Sequence, residues 1–177
     1  MARKSLQTSP YPLGMARWLL GIGNTFRRDD GLGPYLVGIL RASLPPEVHP
    51  ITAQVFPVPA PWHPQDRVLV LDAVHSLQWN PGTVVDLDLL DLPRLPQDLR
   101  VSTHGLGLWE WLRLTQMHPG LPQELRFLGI VGQDFGHGPG LSEVVARSVP
   151  EVLHRIRQWL QDRPTEQPGE SVGVDPR

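Results

Sequence analysis

Residues 67–72 read RVLVLD, four apolar side chains behind an arginine and closed by an aspartate. A short unbroken run of Val and Leu is the pattern of a strand buried on both faces. Working outward, similar runs alternate with helical spacing. Residues 18–22 (WLLGI) make an earlier buried strand ending near glycine. Across 31–44, Leu32, Tyr35, Leu36, Ile39 and Leu40 recur at helical intervals, with Pro34 tolerable only in a first turn. Residues 51–58 favour a second strand, and 83–89 alternate like a strand with one wetter face. Residues 105–116 carry a helical apolar pattern, 125–131 form another strand, and Ser142 opens a helix to about residue 162. Pro150 must kink or interrupt that last helix. The alternation predicts an α/β fold: one three-layer domain with a twisted, mostly parallel but mixed sheet of about five strands, flanked by helices. The loop at 72–83, with Asn80-Pro81-Gly82, is too short for a crossover helix and predicts an antiparallel neighbour.

Composition narrows the chemistry. The chain has 177 residues, 40% of them apolar, which fits one domain with a real core. It contains no cysteine, so disulfides, thiolate nucleophiles and Cys-based metal sites are excluded. Of the 16 basic residues only Lys4 is a lysine, which leaves no lysine in the folded body for a Walker-A loop or a Schiff base. A net charge of −2 without a basic run argues against a nucleic-acid partner. No apolar stretch reaches the length of a membrane span, and the N-terminus has no signal-peptide h-region. Residues 1–14 read as a flexible leader, 15–162 as the folded domain, and 163–177, polar with Pro and Gly, as a disordered tail.

In an open α/β sheet, ligands bind beyond the carboxyl ends of the strands. Three segments there bear reactive side chains: Gly21-Ile22-Gly23-Asn24 running on to Asp29-Asp30-Gly31, Leu71-Asp72-Ala73, and Ser102-Thr103-His104-Gly105. Two carboxylates and one imidazole are an N/O ligand set for a divalent transition metal. Each residue also has a plainer reading. Asp29 and Asp30 can cap the first helix, Asp72 can form a turn, and His104 can pack or cap. His63, His75 and His137 have no partner spacing that singles them out. Gly21-x-Gly23 can begin a dinucleotide fingerprint, but Phe26 stands where its third glycine belongs.

The order of these motifs resembles the hydrogenase maturation protease family, endopeptidases that trim the large subunit of nickel–iron hydrogenases. Four segments carry the resemblance: Gly21-Ile22-Gly23-Asn24 with Arg28-Asp29-Asp30-Gly31-Leu32-Gly33-Pro34; Val70-Leu71-Asp72-Ala73-Val74 with Pro81-Gly82; Ser102-Thr103-His104-Gly105; and Leu128-Gly129-Ile130 with Gly140-Leu141-Ser142. Together they span about residues 17 to 160.

The resemblance implies a five-stranded sheet flanked by helices, with Asp30, Asp72 and His104 as metal ligands and catalytic residues. It places Asp29 beside a ligand, as a supporting or capping residue and the nearest candidate for handling a proton. The implied cofactor is nickel, presented by the substrate. The implied partner is the precursor of a hydrogenase large subunit, cut in the cytoplasm to release a C-terminal peptide; a monomer is expected because no apolar stripe beyond core needs is evident. A checkpoint that reads the nickel site without cutting, and a nucleotide-binding domain, are the alternatives. Two segments depart from the family: the proline-rich 57–65 stands where a helix is usual, and Gly129-Ile130-Val131-Gly132-Gln133 replaces a Gly-Ile-Glu/Gln-Pro step. Both fall where substrate specificity is expected.

Overall fold

A computed structural model of the chain describes residues 16–56, 62–91, 108–116 and 121–162. Five strands run through them: β1 (Arg17–Ile22), β2 (Val48–Ala53), β3 (Arg67–Val74), β4 (Val84–Asp88) and β5 (Glu124–Val131). Their order across the sheet is β2-β1-β3-β5-β4, and every neighbouring pair is parallel except β4 with β5. Three helices cover the sheet: α1 (Leu32–Leu40), α2 (Leu108–Gln116) and α3 (Glu143–Gln161).

The apolar run at 67–72 lies in the middle strand. All of β3 except its last residue is buried, because helices cover both faces. Alternate side chains divide between two cores. Trp18, Val68, Val70 and Phe127 pack on one face with Trp111 and Leu112 of α2. Leu19, Leu69, Leu71 and Leu128 pack on the other with α1 and α3. The helix α1 starts hard against the sheet: a Cβ on Gly33 would overlap the carbonyl oxygens of Ile22 and Leu71. The ends of β1 and β3 are therefore wedged directly under the first turn of α1.

Several elements differ in detail from the sequence expectation. The strand expected at 51–58 is β2, which begins earlier and ends at Ala53. Pro50 fits inside it because, among the described residues, β2 pairs only with β1, so one side of the strand needs no ladder donor. Phe56 turns inward to stack on Trp111 at a centroid distance of 4.7 Å, and residues 57 and 58 lie outside the described residues. Asp72 does not close β3. It pairs with Gly129, and the strand continues to Val74 because β5 runs beside it. The hairpin-like loop does lead to an antiparallel strand, but β5 inserts between β3 and β4. The last helix continues through Pro150 instead of stopping there. Pro150 and Ala146 both face outward, so water can satisfy the carbonyl that proline leaves without its donor.

The leader at 1–14, the tail at 163–177 and residues 105–107 of the expected second helix lie outside the described residues. No helix among the described residues is long and apolar enough to cross a membrane. The wedge at Gly33 gives a direct test. Gly33→Ala should destabilise the fold by about 3 kcal/mol or more through overpacking against backbone, read as a shifted denaturant midpoint.

Candidate active site

Strand β1 leads through α1 to β2 on one side, while β3 lies on its other side. The carboxyl ends of β1 and β3 therefore form the switch point where an open sheet opens a crevice. The ladder between these two strands ends at Gly21 opposite Leu71. Asp72 is the next residue of β3, only 5% exposed, and its Oδ1 accepts the Ala73 N–H at 2.7 Å. By alternation it belongs to the sheet face of Val68 and Val70, the face covered by α2.

Asp30 reaches the same junction from β1. It sits in a 3-10 turn, Arg28–Gly31, that packs against β3, and it is 1% exposed. Its Oδ2 accepts the Asn24 N–H at 3.1 Å. The close passage depends on Gly23, whose φ is +136° and where a Cβ would overlap the Asp30 carbonyl oxygen. The glycines after β1 thus admit the acidic turn onto the strand end. That crowding leaves the segment poorly suited to cradle a pyrophosphate.

His104, the third residue expected at the site, lies outside the described residues. The helix α2 begins four positions after it and packs on the face that holds Asp72. The structure thus brings Asp30 and Asp72 to one sheet edge and is silent on the imidazole. Among the described residues no group of three or more His, Cys, Asp or Glu side chains gathers as a metal cluster. His75 is exposed, with its ring 6.0 Å from Phe135, and His137 is exposed in the segment before α3. Two carboxylate oxygen donors at one edge, joined by an imidazole, would fit a borderline divalent metal.

Of the parts weighed for Asp29, its bonds fit the supporting one and not the helix cap. It is fully buried (0% exposed) and caps no N–H of α1. Its Oδ2 accepts the N–H groups of Gln133 and Asp134, both at 2.8 Å, and the Ser142 hydroxyl at 2.9 Å. Its Oδ1 accepts the Ser142 N–H at 2.6 Å. A carboxylate holding four donors is committed to structure and is poorly placed to shuttle a proton. The backbone continues the seam: Asp29 N–H donates to the Asp134 carbonyl at 3.0 Å and Arg28 N–H to that of Gly138 at 2.9 Å. Gly138 N–H donates in turn to Phe26 at 2.8 Å. Residues 133–142 are thereby fastened to the acidic turn. Of these partners, Ser142 was readable in sequence as a helix cap, and it does accept the Val145 N–H at 3.4 Å. Its second bond, to a residue 113 positions away, has no local signature.

An open, mostly parallel α/β sheet with buried acidic groups at its switch point is a layout that binds ligands beyond its strand ends. The fold is shared with solved structures. The hydrogenase maturating endopeptidase HybD from Escherichia coli superposes with a TM-score of 0.68 at 22% identity, over 82% of this chain and 92% of that one. The [NiFe] hydrogenase maturation protease HybD from Thermococcus kodakarensis gives 0.66 at 23% identity, over 83% and 100%. In sequence, the hydrogenase 2 maturation protease of Escherichia coli (strain K12) is 24% identical over 148 residues, 81% of this chain and 90% of that protein. The model of the hydrogenase maturation protease family, HycI, matches residues 53–159, a span that includes Asp72 and His104 and begins after Asp30. The chain belongs to the hydrogenase maturation protease family.

The seam at Asp29 predicts a measurable cost. Ser142→Ala removes one bond to the buried carboxylate and the α3 cap together. Thermal or denaturant unfolding should show a loss of about 1–3 kcal/mol.

Proposed function

We propose that this chain is the endopeptidase that removes the C-terminal peptide from a nickel-loaded precursor of a hydrogenase large subunit. The observation that carries the reading is the placement of Asp30 and Asp72, both buried, beside the carboxyl ends of β1 and β3, with the turn that carries Asp30 packed against β3. The names of the relatives support the substrate class: one is a hydrogenase 2 maturation protease, and the Thermococcus structure is described as a [NiFe] hydrogenase maturation protease.

In this reading nickel belongs to the substrate. Asp30 and Asp72 offer oxygen donors and His104 a nitrogen donor, and together they complete the coordination of nickel that the precursor presents. The chain has no cysteine, so the softer ligands come from the precursor. A precursor without nickel lacks this contact and is left uncut. Cleavage adds water across one peptide bond: the hydroxyl joins the carbonyl carbon and a proton goes to the departing amine. The chain's own part is to hold the nickel-bearing end of the precursor against buried carboxylates while excluding bulk water from them.

The rim of the crevice supplies further contacts. Phe26, after β1, is 73% exposed, and Leu77, after β3, is 91% exposed. Asn24 Oδ1 accepts the Phe26 N–H at 2.9 Å, and Ser76 Oγ accepts the N–H groups of Gln78 and Trp79, each at 3.1 Å. These turns are held by polar bonds while their apolar side chains stand outside the core, where a precursor segment can cover them. The enzyme works as a monomer in the cytoplasm, on a partner it holds only transiently.

The test is incubation of nickel-loaded precursors with the full chain, followed by intact mass. Loss of a C-terminal peptide is expected, and only from nickel-loaded material. Asp72→Ala and Asp30→Ala should each slow release by about 100-fold or more while remaining folded. Normal trimming by Asp72→Ala would remove that residue from the site. Tight binding of precursor with no peptide released would instead identify a checkpoint. Phe26→Ser and Leu77→Ser should raise KM by roughly 3- to 10-fold with kcat nearly unchanged, the signature of lost uniform binding.

A further inference from the structure

We propose that Asp29 is a positioning residue for Asp30, acting through the segment 133–142, which it clamps to the acidic turn. The inference rests on the reading of Asp30 as a residue of the peptidase site. Three observations lead to it.

The first is the number and reach of the bonds. Four donors from Gln133, Asp134 and Ser142 converge on one fully buried carboxylate at 2.6 to 2.9 Å. Charge-assisted bonds of this kind are stronger than neutral ones, and burial removes competition from water. The second is the backbone just before the aspartates. Arg28 has a φ of +47°, the one described non-glycine residue in the left-handed region. A non-glycine residue persists there only where its surroundings over-determine it. Here they do: the N–H groups of Arg28 and Asp29 are fixed by the carbonyls of Gly138 and Asp134, and the Asp29 side chain holds the same segment in place. The third is that Asp30 follows directly in the same short turn, with its Oδ2 aimed at the Asn24 N–H.

The acidic turn is thus gripped from two sides, by residues 23–25 on one and by 133–142 on the other. Removing the clamp frees one side. Arg28 can then relax to an ordinary φ, and the relaxation rotates the next residues, carrying the Asp30 carboxylate off Asn24. A merely structural Asp29 would loosen 133–142 and leave Asp30 where it is. The Asn24 amide separates these two cases, because it reports the aim of Asp30 and touches neither Asp29 nor its partners.

The experiment is amide hydrogen exchange on the full-length Asp29→Asn protein, below its unfolding transition and without substrate. Exchange at Gln133, Asp134 and Ser142 should quicken, and exchange at Asn24 should quicken with them by about tenfold or more beyond the rise at β3 and β5 amides, which report global stability. Fast exchange at 133, 134 and 142 with Asn24 as protected as in the wild type would overturn the proposal. If Asp29→Asn does not fold, Ser142→Ala serves in its place, since it keeps the Ser142 N–H bond. A smaller rise at Asn24, about threefold, is then expected, and no rise overturns the proposal. A restored rate in Ser142→Thr, which returns the hydroxyl, supports it. Because no precursor is present, the result holds whether or not the wild-type chain cuts one, and the cleavage assay judges the peptidase reading separately.

Discussion

Burying the Asp29 carboxylate is tolerable only because four hydrogen-bond donors meet it, and all four come from the far end of the chain. That requirement joins the turn after the first strand to the segment that opens the last helix. Ser142 stands at the junction: it donates to Asp29 and accepts from Val145, so the start of α3 and the acidic turn share one hydroxyl. The sheet contributes the second constraint. Gly33 lets α1 descend onto the ends of β1 and β3, and Gly23 lets Asp30 pass over the end of β1. Between them these contacts leave the turn that carries Asp30 little freedom.

The two aspartates after β1 divide the work by the directions they face. Asp30 turns toward Asn24 and the strand end, whereas Asp29 turns away toward Gln133 and Ser142. Adjacent residues in a tight turn project to different sides, so one acidic pair can serve a site and its scaffold together. Asp72 arrives by another route, from near the carboxyl end of the most buried strand, and needs no turn at all. Its placement is as rigid as the sheet that carries it.

Much of this was legible in sequence because it is local. Alternation and apolar runs marked all five strands, and the helical spacing of Leu32, Leu36 and Leu40 matches the face that α1 buries. Asp30 and Asp72 stood out by following strands, and the order of motifs joined them. What escaped was set by partners distant in the chain. Asp72 read as a strand ending because only β5, more than fifty residues on, extends the ladder past it. The start of β2 was missed because Pro50 is acceptable only on an edge, and edge position is a property of the assembled sheet. Asp29 resembled a helix cap because its true partners lie 104 to 113 residues away. His104 was singled out by motif order, and its placement lies beyond the described residues.

The two borders of the sheet share one more property. Strand β2 carries Pro50, which cannot donate to a neighbour, and β4 is only five residues long with Asp86 and Asp88 along it. Asp86 is held by Arg126 and Arg155, which keeps charge at that border. Unprotected borders invite any extended polypeptide to zip on, including misfolded copies of the same chain. Under the function proposed above, an enzyme that meets the loose end of another protein faces that hazard at every encounter. Proline on one described border and carboxylates on the other make both poor templates for a visiting strand.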